Sequence, residues 1–306
     1  MNARDLSDPA TARMLAGRCG TIERLKMLTL IAYADVSAVN PGAMTPWRLE
    51  QLWRAYDVTR HQLVRELETG RIQQPPEGLP QAAEFIKGFP FRYLRTHAPA
   101  EIEAHLRLRE QSRPAGVAVC LERLSGFYRL TVVARDRPFL FASLAGVLSV
   151  FGLNIVKVEA FANDKGLILD TFVFADPQRT LDLNPSEVER LQEMAQKAAL
   201  GKLDVPRLLS DRRSAVKSRR HAIEPSVQFD SEACETATLV EIVAEDRPGL
   251  LYDFATVFSS AACNIDVVLI DTEGRKALDV FYVAYGGAKV PSELQEKLRH
   301  KLLEVC

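Results

Sequence analysis

Two short polar clusters carry most of the chemistry this chain can offer. Asp136-Arg137-Pro138 and Asp246-Arg247-Pro248 stand 110 residues apart, and each is followed by an apolar stretch and then, 18 residues after its Asp, by an asparagine, Asn154 or Asn264. An acidic residue and a proline ahead of an apolar run suit the first turn of a helix. The missing N–H costs nothing there, and the carboxylate meets the positive end of the helix dipole. That is a bland reading, a helix cap. In the functional one, exposed amides at the helix start hold the carboxylate of a small ligand while polar groups of the loop hold its amino group. The asparagines divide in the same way: Asn tolerates the left-handed backbone that ends many helices, and its amide can bind an α-amino acid. Joint recurrence of loop and Asn favours binding, because capping alone does not require the same arginine twice.

The recurrence extends beyond these residues. From Val133 to Val158 and from Val243 to Val268, 12 of 26 aligned positions are identical. A long unit present twice implies two copies of one small domain rather than a stacked array.

Composition bounds the rest. The 306 residues leave room for two or three domains, and 47% hydrophobic with 26% charged residues is ordinary for a soluble globular protein. The opening MNARDLSDPATARML is too polar for a signal peptide, and no apolar run reaches the ~20 residues a bilayer crossing needs, so a cytoplasmic location without membrane insertion is expected. The five cysteines are isolated, which points to reduced thiols rather than a disulfide frame. The five histidines are scattered too, with no HExxH or paired Cys/His spacing to hold a metal. A formal net charge of −1 supplies no field to attract nucleic acid or an acidic membrane.

Apolar positions recur at helical spacing from Met14 to Leu67, broken at Asn40-Pro41-Gly42, and predict a helical bundle. Gln74-Pro75-Pro76-Glu77-Gly78 reads as a linker, followed by a helix over Pro99–Arg109. Beyond Gly116 the pattern becomes strand, helix, strand, strand, helix. Phe127–Ala134 is the first strand, and Pro138 opens the first helix, which Gly152 stops. Asn154–Ala162 and Gly166–Phe174 form a hairpin about Asn163-Asp164-Lys165-Gly166, and Glu187–Leu200 is the second helix. The second copy repeats this order from Ala237, with a hairpin about Glu273-Gly274 and a last helix over Pro291–Glu304. Between the copies, the basic run Arg207–His221 reads as a solvated linker, and Pro225–Phe229 as a strand completing the first copy as βαββαβ. The fold class is α+β: a helical segment, then two ferredoxin-like modules, the second without a clear last strand. Its sheet edge must then be short, paired with the first module, or covered by another chain.

ARDRPFLFASLAGVLSVFGLNI and AEDRPGLLYDFATVFSSAACNI resemble the first strand, loop and helix of ACT domains, ligand-sensing modules that regulate amino-acid and nitrogen metabolism. The tandem copies, the linker PSVQFDSEACETATLVEIVAEDRPGLLYD and the ending LDVFYV are similar to the C-terminal part of bifunctional uridylyltransferase/uridylyl-removing enzymes, which modify the nitrogen regulatory PII protein. RDLSDPATARMLAGRCG, LTLIAYADVSAVNPGAMTPWRLEQLW and FRYLRTHAPAEIEAH resemble the end of that family's HD-type hydrolase domain and the helices after it. The resemblance divides the chain into an HD remnant over 1–73, linker and helices over 74–121, a first ACT domain over 122–231 containing the basic stretch 205–222, and a second over 236–306.

It also implies glutamine, or another amino acid, as ligand of the ACT pair, PII or a separate catalytic domain as partner, and side-by-side ACT pairing that could make a homodimer. The candidate ligand-binding residues are Asp246, Arg247, Gly249, Leu250 and Asn264, with Asp136, Arg137, Phe139 and Asn154 as first-copy counterparts. Phe139 stands where the second copy has Gly249, which works against close approach of a ligand to the first loop.

The family uses Mg or Mn, yet no cofactor is expected in this chain. The Gly-Ser loop and paired aspartates of a nucleotidyltransferase centre are missing, as is any His-Asp pair, and only Asp35 matches one metal ligand of the HD set, an incomplete site. No catalytic residue is assigned. The alternatives are a free-standing tandem ACT sensor and a residual metal-dependent phosphodiesterase in the N-terminal helices.

Overall fold

The structure is a computed structural model that describes residues 9–39, 44–67, 71–73, 80–213, 223–234, 237–273 and 276–306. The expected Asn40-Pro41-Gly42 break, the linker over 74–78 and the tip at Gly274 lie outside them. The chain divides into two compact units, residues 1–72 with 90–98, and residues 73–89 with 99–306.

The first unit is helical: α1 (Pro9–Cys19), α2 (Ile22–Val39) and α3 (Pro46–Leu67). Threonines start the two longer helices. The Arg24 N–H donates to Thr21 Oγ1 at 3.2 Å and the Arg48 N–H to Thr45 Oγ1 at 3.3 Å, each satisfying a first-turn amide. Ala16, Cys19, Leu25, Tyr56 and Leu63 form the core between them. Of the two short helices that follow, α4 (Ala83–Ile86) lies in the second unit and α5 (Arg92–Thr96) in the first. No helix among the described residues is long and apolar enough to cross a membrane.

The second unit continues with α6 (Pro99–Ala115), longer than the sequence suggested, and then two strands, β1 (Val117–Arg123) and β2 (Tyr128–Arg135). The first module goes on through α7 (Leu140–Val150), β3 (Asn154–Ala162), β4 (Leu167–Ala175), α8 (Thr180–Leu183) and α9 (Pro185–Ala199). After α10 (Val205–Arg213) come β5 (Ser226–Asp230), β6 (Thr238–Glu245), α11 (Leu250–Ser260), β7 (Cys263–Glu273), β8 (Lys276–Tyr285), the short β9 (Ala288–Lys289) and α12 (Ser292–Glu304).

The strands form one antiparallel sheet in the order β1-β2-β4-β3-β7-β8-β6-β5, with β9 paired to β8. This order is a palindrome: edge, first, third, second, then second, third, first, edge. The modules meet within the chain, where β3 pairs with β7 at Glu159↔Leu269, Ala160↔Val268 and Phe161↔Val267. The helices of both modules and the apolar residues of the sheet share one core, including Leu144, Leu148, Phe172, Phe254, Phe258 and Phe281. Close packing of α7 on its neighbours depends on Gly146. A Cβ there would fall 2.4 Å from Val205 Cγ1 of α10 and 2.8 Å from Tyr252 Cδ2 of α11.

Three expectations are corrected. The strand read as completing the first module, β5, pairs instead with β6 of the second, Ser226↔Val243 to Asp230↔Leu239. The first module's edge is β1, paired with β2 through Val117↔Ala134 to Arg123↔Tyr128 and starting before residue 122. Each module is therefore ββαββα, with its edge strand ahead of it in the chain, and the second copy is not a strand short. The basic stretch is not linker throughout, because Val205–Arg213 is helical and buries Val205 and Leu209 in the shared core. Finally, Pro138 does not open α7, which begins at Leu140 after a tight turn.

The first hairpin turn is as expected. Gly166 takes φ +69°, and Asn163 Oδ1 accepts the N–H groups of Lys165 at 3.0 Å and Leu167 at 2.9 Å. In the second, Glu273 and Lys276 pair on either side of the tip.

Candidate functional site

The loops after the first core strand of each module have one backbone shape. The Leu140 N–H donates to the Arg137 carbonyl at 3.2 Å and the Leu250 N–H to the Arg247 carbonyl at 3.1 Å. Pro is second in both turns, and the third residue is left-handed: Phe139 at φ 61°, ψ 12° and Gly249 at φ 83°, ψ 4°. Gly249 takes this conformation freely, whereas the Cβ of Phe139 makes it cost about 1–2 kcal/mol. No side chain caps either helix.

The two arginines do structural work. Arg137 Nε–H donates to the Ala199 carbonyl at 2.8 Å, and its Nη2 donates to the Ala198 carbonyl. Arg247 Nη2 donates to the Val305 carbonyl and forms an ion pair with Asp253 at 2.8 Å. Each arginine thus reaches from its loop to the C-terminal end of its module's last long helix, where unpaired carbonyls and the negative dipole end favour a cation. A bond to a helix end, made once in each module, is a structural reason for the repeated arginine beside the expected ligand role.

The asparagines change in the opposite direction. Neither has positive φ; the left-handed residues after α7 and α11 are Gly152 at 71° and Ala262 at 54°. Asn154 opens β3 and Asn264 lies in β7, and both are exposed. Their amides are therefore not accounted for by helix termination.

Asn154 lies in a cleft that joins the two modules. Ser149, Leu153, Asn154 and Ile155 line it from the first module, and the loop from Asp246 to Leu251, Ile270, Ala277 and Asp279 from the second. Of the expected residues, this brings together Asp246, Arg247, Gly249, Leu250 and Asn154. Asp136, Arg137, Phe139 and Asn264 do not line it. The cavity measures about 30 Å³, room for a water or two.

The structure also assigns to the cleft a residue that the sequence reading passed over. Asp279 is 2% exposed, and its Oδ1 has no hydrogen-bond partner among the described residues. Burial, with the Asp246 charge adding to it, pushes its carboxyl up to about 8. The first module has the same arrangement, for Asp170 is buried and its carboxyl is held well above the usual range by burial and then by Asp136. Asp136 and Asp246 are themselves raised by desolvation, each offset by accepting the N–H of the following arginine. The signal was present in the repeated Leu169-Asp170 and Leu278-Asp279, an acid within an otherwise apolar strand.

Asp35 is exposed on α2. No group of three or more His, Cys, Asp or Glu side chains that could hold a metal occurs among the described residues, and one exposed carboxylate does not make such a site.

Residues 238–299 match the ACT domain family, so the second module is an ACT domain. Over 92% of its length the chain is 30% identical to the bifunctional uridylyltransferase/uridylyl-removing enzyme of Bradyrhizobium diazoefficiens and 31% identical to that of Gluconobacter oxydans. Over 98% it is 31% identical to that of Azospirillum brasilense. The chain is thus a homologue of part of these enzymes. It spans about a third of their length, 32%, 32% and 35% respectively. A crystal structure of aspartate kinase from Synechocystis aligns with 58% of this chain and 27% of its own at 16% identity and a TM-score of 0.32, too little to carry an argument.

Proposed function

We propose that this chain is an amino-acid-sensing regulatory portion of a PII uridylyltransferase-like protein, with glutamine as the ligand and nitrogen metabolism as the process controlled. The cleft carries the reading. An exposed asparagine of one module and the uncapped helix start of the other, with its left-handed glycine, face the same space. First-turn amides suit a carboxylate, and Asn154 with the acids suits an ammonium and an amide. A ligand held by both modules prefers one arrangement of them, and it can shift their equilibrium only by that preference. The signal goes to PII or to a separate catalytic domain in the cytoplasm, with residues 1–73 as the HD-type remnant joining the sensor to it. Relatives named for uridylylation extend well beyond the segment they share with this chain, which is where a catalytic centre belongs in this proposal.

Calorimetric titration with the common amino acids tests it. Glutamine is expected to bind and to raise the thermal midpoint, with Asn154→Ala weakening it at least about tenfold. No heat and no thermal shift at millimolar glutamine would end the glutamine assignment.

A further inference from the structure

Among the described residues the cleft is lined by two carboxyl groups and one cation, Arg247, which is paired elsewhere. Asp246 comes from the loop, half-buried, and Asp279 from β8 at the base. The strand residues flanking Asp279 are apolar, Ile242 on β6 and Ile270 on β7. Asp246 on the loop acts on it electrostatically, as Asp279 does on Cys306 after α12; Arg247 lines the same cleft and pairs with Asp253 on α11. Arg247 is committed to Val305 and Asp253, and burial holds the Cys306 thiol up near 11, so neither supplies a countercharge to the floor of the cleft. An acceptor that is buried and unpaired in a residue lining a cleft between modules costs stability without return in the empty protein.

We propose that Asp246 and Asp279 together receive the ammonium group of the bound amino acid, and that Asp279 releases its proton to solvent as the ammonium arrives. This rests on the amino-acid-sensing reading above. The balance is simple. The empty cleft holds one carboxylate and one carboxylic acid, with charge −1; the filled cleft holds two aspartate carboxylates and the ligand's ammonium and carboxylate, with charge −2, the O–H bond of Asp279 being broken and its proton passed to water with the balancing +1. The ammonium has three donors, enough for Asp279 Oδ1 and for Asp246, and its charge lets both acids ionise side by side. A ligand without an amino group, such as a free dicarboxylate, would meet two acids and be rejected, which makes the pair a selector for zwitterions.

The experiment is titration of the full chain with L-glutamine near pH 7, in phosphate and in Tris, whose ionisation enthalpies differ. A gap between the two observed enthalpies reports protons released. The expected result is release of most of one proton by the native chain and none by Asp279→Asn, with affinity rising about tenfold from pH 6 to pH 7 in the native chain alone. Binding with equal enthalpy in both buffers, or proton release unchanged in Asp279→Asn, would overturn the inference while leaving the sensor intact. The buffer comparison on the native chain stands even if that variant does not fold. Failure of every common amino acid to bind would overturn the sensing reading and this inference with it.

Discussion

The two modules use one loop design with different residues at its tightest point. Gly249 and Phe139 occupy the same left-handed position, at φ 83° and 61°, and both turns close with the same hydrogen bond. Arg247 and Arg137 then make equivalent bonds to the ends of their modules' last helices. What differs is what may approach. Gly249 leaves the backbone bare in the cleft that Asn154 also lines, whereas the first loop carries the exposed ring of Phe139. Duplication has preserved the framework of the loop in both copies, with a glycine at its tightest point in one and a phenylalanine in the other.

The helices at the module boundary offer the largest test of this asymmetry. Gly146 in α7 corresponds to Thr256 in α11, and only the former lies against a neighbouring module's side chain at sub-contact distance from a would-be Cβ. Gly146→Leu should lower unfolding free energy in urea by about 3 kcal/mol through overpacking. A change under about 1 kcal/mol would show that the modules do not depend on this close approach.

Next come the arginines. Arg137→Ala and Arg247→Ala should each destabilise by about 2 kcal/mol, the loss of charge-assisted bonds to helix ends. Equal effects in the two modules would support the shared structural role. If Arg247→Ala instead left the midpoint unchanged and weakened amino-acid binding, the arginine would belong to the ligand after all.

Exchanging the loop residues addresses the difference itself. Gly249→Phe should cost about 1–2 kcal/mol, because the Cβ meets the left-handed penalty that Phe139 already carries, and should weaken binding at least about tenfold. Phe139→Gly should change stability by less than about 1 kcal/mol, relief of strain offsetting the added chain entropy. Binding that survives Gly249→Phe would separate the ligand from this loop.

The acids give a pH-dependent effect common to both modules. Asp170 and Asp279 keep a proton in the folded state that the unfolded chain loses near pH 4. The sign follows: folded stability is undiminished below about pH 4 and falls as pH rises, through about 8 for Asp279. The slope is at most about 1.4 kcal/mol per pH unit for each group. Denaturation series from pH 5 to 8 should therefore flatten in Asp279→Asn and in Asp170→Asn. An unchanged slope would mean that the acids are not held neutral.

Much of this was legible in the sequence because the period of the apolar pattern is local. The main helices and strands of the two copies, the Asn163–Gly166 turn and the duplicated loop follow from spacing and turn chemistry, whereas the helix Val205–Arg213 does not, because its basic residues mask the buried Val205 and Leu209. Strand partnership was not legible. Val117–Arg123 does not alternate and was not read as a strand, and the partner that Ser226–Asp230 takes in the sheet is fixed by tertiary packing that a propensity does not encode. The site was half legible. Residue types located both loops, but only the geometry separates Asn154, which faces the cleft, from Asn264, which does not line it. It also shows that the repeated arginines bond to helix ends and that the acid within β8 belongs to the cleft. A carboxylate embedded in an apolar strand was the available sign, and it has meaning only once its unpaired oxygen is seen.

Hydrogen exchange of the intact chain with and without millimolar L-glutamine tests the central claim, that one ligand is gripped by both modules at once. The account predicts that amides over residues 247–252 and 153–156 gain protection together, at the same glutamine concentration, while residues 137–142 do not. Protection confined to one module, centred on the first loop, or absent at saturation would contradict it.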